Sequence, residues 1–129
     1  MPDKKEAIKV LLVEDDKLIA DMYQTRLTEE GFSVTQTAIG SEGLQLAAKE
    51  LPDIVLLDVI LPEMDGFSIL NALKKNQATR DIPVLLLTNL GQETDVAKGK
   101  GLGAQEYLVK ANFTPTQIVS EIKKVLKIK

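Results

Sequence analysis

Glu14, Asp15, Asp58, Thr88 and Lys110 share one property: each closes or follows a short apolar run. Residues 10–13 (VLLV) lead into Glu14 and Asp15, and residues 54–57 (IVLL) lead into Asp58. Residues 84–87 (VLLL) stop at Thr88, and residues 107–109 (YLV) stop at Lys110. Three carboxylates, a hydroxyl and an ammonium brought to one place suit a divalent cation together with a phosphoryl group. The chain has neither Cys nor His, which removes thiolate and imidazole chemistry and the usual zinc ligands. Any metal held here is then a hard cation on oxygen, Mg²⁺ first and Mn²⁺ second.

Such a meeting requires elements that end together. Continuous apolar runs of four residues read as strands buried on both faces, the mark of a parallel sheet. In open α/β sheets, ligands sit outside the carboxyl ends of the strands. Between the runs, helical spacing recurs. Leu18, Ile19, Met22, Tyr23 and Leu27 form the first stripe, stopped by Gly31. Residues 33–37 (SVTQT) alternate as an edge strand does. Ser41 is expected to cap a second helix whose Leu44, Ala47, Ala48 and Leu51 share a face and which ends at Pro52-Asp53. A third helix follows Asp65-Gly66 with Phe67, Leu70 and Leu73 inward, and a last one runs from Thr116 to about Lys127. The fourth, over residues 92–104, is expected to be short or mobile. It contains Gly99, Gly101 and Gly103, and each mid-helix Gly costs about 1 kcal/mol relative to Ala. Strict alternation predicts an α/β fold, a doubly wound five-stranded parallel sheet of order 2-1-3-4-5. Its switch point, between the first and third strands, is where Glu14, Asp15 and Asp58 lie.

With 129 residues, 27% of them charged, and a net charge of −3, the chain fits one domain with no broad nucleic-acid-binding or membrane-binding surface. Residues 1–7 read as a flexible N-terminus and residues 8–129 as the folded domain. No apolar segment has the length of a signal peptide or a membrane span, so the expected location is cytoplasmic.

The ordered set of Leu11 to Asp16 (LLVEDD), Asp58 to Gly66 (DVILPEMDG), Thr88 and Tyr107 to Lys110 (YLVK) resembles a response-regulator receiver domain, CheY-like and stand-alone. That resemblance implies a (βα)5 flavodoxin-like three-layer sandwich. It implies Asp58 as phosphoacceptor and Glu14, Asp15, Asp58 and the backbone carbonyl of Ile60 as ligands of Mg²⁺. Lys110 and Thr88 would contact phosphoryl oxygens. Thr88 and Tyr107 would form the switch that repacks helix 4, strand 5 and helix 5. Because the chain has no His, a separate histidine kinase or phosphotransfer protein is the expected donor. No output domain is expected after the fifth helix, so output is expected through an unidentified downstream protein, from a monomer or a weak phosphorylation-dependent dimer.

Two positions depart from the family pattern. The residue after the switch Thr is commonly small, and here it is Asn89. Pro commonly follows the Lys, in a cis peptide, and here Ala111 does. Competing readings are a degenerate receiver used only for docking, a small Mg²⁺-dependent aspartyl-phosphate phosphatase, and a flavodoxin-like cofactor binder. The phosphatase would carry its nucleophile in an Asp-x-Asp pattern after the first strand, which residues 14–16 lack. In the cofactor binder, Glu14-Asp15-Asp16 would repel a bare phosphate.

Overall fold

A computed structural model describes residues 7–128. Most of the segment expected to be a flexible N-terminus therefore lies outside the described residues. Five strands, β1 (Lys9–Val13), β2 (Ser33–Thr37), β3 (Ile54–Leu57), β4 (Val84–Thr88) and β5 (Glu106–Val109), alternate with five helices. These are α1 (Lys17–Glu29), α2 (Gly40–Glu50), α3 (Gly66–Lys75), α4 (Glu93–Gly101) and α5 (Pro115–Leu126). All strand pairs are parallel, in the order β2-β1-β3-β4-β5. This is the topology that the alternation predicts.

The period-2 pleat divides the apolar residues between two cores. Val10, Leu12, Ile54, Leu56, Leu85, Leu87 and Leu108 face α1 and α5, where they meet Tyr23, Leu27, Ile118 and Ile122. Leu11, Val13, Val55, Leu57, Val84, Leu86 and Tyr107 face the other way, towards Ala47, Phe67, Leu70 and Leu73. The same pleat therefore sends the ring of Tyr107 towards the α2–α4 layer.

Helix signals were legible with local exceptions. Asp16 caps α1 through Leu18 N–H and Ile19 N–H, and Asp65 caps α3 through Ser68 N–H. Thr114 and Gln117 close a capping box that starts α5 at Pro115. Ser41 does not cap α2. Thr37 Oγ1 accepts from Ile39 N–H instead, and the helix begins at Gly40, which presses against Ile69. Ala48 and Leu51 are exposed rather than inward, Leu51 adopting a left-handed conformation (φ 49°) at the C-cap. In α1 the inward face is Ala20, Tyr23 and Leu27; Leu18 is 83% exposed and Met22 48%. The apolar stripe of α1 is thus wider than the surface that the sheet offers it. Helix α4 spans nine residues, four fewer than its pattern allowed, and its single buried residue is Gly99.

Candidate functional site

Register brings the strand ends level. Val13 pairs with Leu57, and Leu57 with Leu86. One further backbone bond extends the ladder on each side of β1: Asp58 N–H donates to Val13 O and Glu14 N–H to Thr37 O, both at 3.0 Å. Glu14 and Asp58 consequently sit side by side, only 4% and 6% exposed.

Their charges converge on one cation. Lys110 donates to Asp58 Oδ2 at 2.8 Å and also to Glu14 Oε1. Asp58 Oδ1 accepts from Ile60 N–H at 3.1 Å, and Glu14 Oε2 from Asp16 N–H at 3.0 Å. Every carboxylate oxygen of the buried pair therefore has a donor. Burial pulls the Lys110 ammonium down, yet its bonds to Asp58 and Glu14 outweigh burial and leave its pKa above the ordinary value. Burial raises the pKa of Glu14, with the Asp58 charge adding to it and Lys110 opposing. Two buried acids share one ammonium, so the cluster retains an uncompensated negative charge. Exposed Asp15 closes the group: Glu14, Asp15 and Asp58 can each point an oxygen to within 4.8 Å of the others. That donor set, all oxygen and all anionic, fits a hard divalent cation.

No cis peptide occurs among the described residues, so the Lys110–Ala111 bond is trans. A 3₁₀ turn over Lys110–Asn112 follows, and Lys110 still reaches both acids.

Thr88 is fully buried, and its Oγ1 accepts from Leu90 N–H at 3.4 Å. The hydroxyl of Tyr107 donates to Leu90 O. The two residues singled out as a switch thus hold opposite ends of one residue. Leu90 was not legible as a participant, because only its backbone takes part. Gly66 was visible in the DG pair but its role was not. A Cβ there would lie 2.2 Å from Asp58 O and 2.7 Å from Val59 Cα.

The family profile for the response regulator receiver domain matches residues 10–123. The chain belongs to that family. VanRc, a regulatory protein of Enterococcus gallinarum, is 40% identical over 92% of this receiver and 50% of its own length. RpaA of Synechocystis, a DNA-binding dual master transcriptional regulator, is 36% identical over 92% of this receiver and 49% of itself. The receiver spans about half the length of the curated relatives it matches. Among solved structures, the Vibrio cholerae chemotaxis protein CheY4 superposes with a TM-score of 0.87 at 32% identity, covering 93% of this receiver and 99% of that chain. The chain is therefore a signalling domain of the two-component type with a CheY-like fold. No helix of the described residues is long and apolar enough to cross a membrane.

Proposed function

We propose that Asp58 is the phosphoacceptor of this receiver, and that phosphorylation repositions Tyr107 and the face formed by α4, β5 and α5. The observation that carries this reading is the buried cluster of Asp58, Glu14 and Lys110 with Asp15 at its rim. An oxygen of the Asp58 carboxylate forms a bond to phosphorus while the donor's P–N or P–O bond breaks; the leaving group keeps the electron pair and takes up a proton. Both reactants are anions, so their repulsion must be offset. Lys110, 2.8 Å from Asp58 Oδ2, brings a compact positive charge to that spot. Glu14, Asp15, Asp58 and the Ile60 carbonyl would hold Mg²⁺ or Mn²⁺, whose chemistry is to neutralise phosphoryl oxygens. Thr88 turns its hydroxyl to a phosphoryl oxygen, giving up its contact with Leu90 N–H. Tyr107, joined to the same residue, registers that change.

The donor proposed is a histidine kinase or phosphotransfer domain, because these 129 residues hold no His to carry the group. The output proposed is a contact made by the face of α4, β5 and α5.

Intact mass after incubation with Mg²⁺ and acetyl phosphate or phosphoramidate tests this. One labile phosphoryl adduct is expected, dependent on Mg²⁺ and absent in Asp58→Asn. No adduct with either donor would point instead to a docking module that ignores phosphorylation.

Asn89 follows Thr88 and is exposed. Its side chain is free to lie across the entrance. Asn89→Ala is expected to speed adduct formation several-fold, more with the bulkier donor; equal quench-flow rates would remove Asn89 from that role.

A further inference from the structure

Helix α4 rests on the sheet through half-buried Val96 and through Gly99, a residue that has no side chain. Among its nine residues only Gly99 is buried. A Cβ at Gly99 would lie 2.7 Å from Leu86 Cδ1 and 2.9 Å from Tyr107 Cδ2, closer than real Cβ atoms come. Leu86 and Tyr107 are register partners on β4 and β5, both side chains lie against Gly99, and the Tyr107 hydroxyl reaches Leu90 O. Two residues further along, Gly101 has nothing within 4 Å of an added Cβ. One glycine is a contact and the other is slack. A second tether is independent of both: the Lys98 ammonium lies 4.7 Å from the centroid of the Phe67 ring on α3. With α4 held to α3 there, bulk at position 99 is relieved at the side chains beneath it rather than by release of the helix.

We propose that Gly99 is a positioning residue that sets where Tyr107 rests and, through Tyr107, how closely α4 is tied to Leu90 and Thr88. A methyl at 99 overlaps both Leu86 Cδ1 and the Tyr107 ring, and displacement of the ring breaks the Tyr107–Leu90 bond. Thr88 then changes partners without moving α4. The regulatory consequence rests on the phosphoacceptor reading; the placement of the ring does not.

The test separates close contact from helix propensity, because Gly99→Ala and Gly101→Ala improve the latter alike. The full chain is labelled with 3-fluorotyrosine, and its two tyrosine signals are assigned with Tyr23→Phe. Gly101→Ala is expected to keep the Tyr107 fluorine signal of the wild type. Gly99→Ala is expected to move that signal to a solvent-exposed position and to weaken binding of beryllofluoride with Mg²⁺ about 5-fold or more, the linkage of a displaced switch. Identical Tyr107 signals in the two variants would overturn the assignment. If Gly99→Ala fails to fold, Gly99→Ala with Tyr107→Leu decides. Recovered folding supports the contact, and no recovery overturns it. A wild type that takes neither beryllofluoride nor a phosphoryl group would sink the phosphoacceptor reading, while a signal difference between Gly99→Ala and Gly101→Ala would still establish what Gly99 does.

Discussion

Lys110→Met is expected to destabilise the protein by about 3 kcal/mol in EDTA, and to lose most of that deficit when Mg²⁺ is added. Lys110 is bonded to two buried carboxylates, Glu14 and Asp58, and is the one such cation among the described residues. Removing one member of a buried ionic cluster typically costs about 3–5 kcal/mol, because the remaining charges stay desolvated and unpaired. The lower end applies here, since Ile60 N–H and Asp16 N–H still serve one oxygen of each acid. A divalent cation binding the same acids stabilises the native state by mass action. In the variant it meets two unshared carboxylates; in the wild type it must compete with an ammonium. Urea melts of both proteins, with EDTA and with saturating Mg²⁺, check the difference. Equal stability in EDTA would mean that the ion pairs contribute nothing net. The Lys110 pKa is raised above 10.5, so the native state binds that proton more tightly. The Lys110 contribution is thus fully present below pH 10.5 and is lost only as pH climbs through the higher folded value. Adduct formation should fall about 100-fold or more in the same variant, the usual effect of deleting one preorganised donor.

Much of this arrangement was readable from residue order. Each buried strand is a continuous apolar run, so hydrophobicity alone located four strand ends, and parallel topology made those ends adjacent. Asp65 announced its helix, whereas Asp16 and Thr114, which cap theirs within three residues, were not read as caps, and the last helix starts at Pro115 rather than Thr116. Ser41 misled because it lies inside the helix, whose N-cap is Ile39 and whose first turn has no side-chain cap at all. Leu18 and Met22 misled for another reason. Periodicity reports which residues share a face, not how much of that face the sheet covers. Leu90, Gly66 and Gly99 were beyond reach, since their roles depend on backbone groups and on space left empty. Neither leaves a trace in side-chain chemistry. The two glycines of α4 look equivalent in the sequence and differ completely in the fold.

Gly66→Ala is expected to cost about 3 kcal/mol of stability and to slow adduct formation more than about 10-fold, although residue 66 touches no reacting atom. The added Cβ would stand 2.2 Å from Asp58 O, 2.9 Å from Asp58 C and 2.7 Å from Val59 Cα. All three neighbours are backbone, so no rotamer change relieves the overlap, and either α3 or the end of β3 must shift. The Gly66 N–H bond to Val59 O, 2.8 Å, lies in the same contact. Overpacking of a fixed core commonly costs about 1–3 kcal/mol, and the absence of any flexible atom places this site at the top of that range. Displacement of Asp58 by even a fraction of an ångström disturbs its bonds to Ile60 N–H and Lys110 together. Hydrogen exchange distinguishes this local route from general loosening. The Ile60 amide should exchange faster in Gly66→Ala, while amides of β2 and α5, which do not touch the contact, change only as far as global stability requires. Ser68→Ala, in the first turn of the same helix but on its exposed face, should leave Ile60 exchange and the adduct rate near wild type. Unchanged Ile60 exchange in Gly66→Ala would show that the loop absorbs the methyl and that Asp58 is positioned by its strand alone.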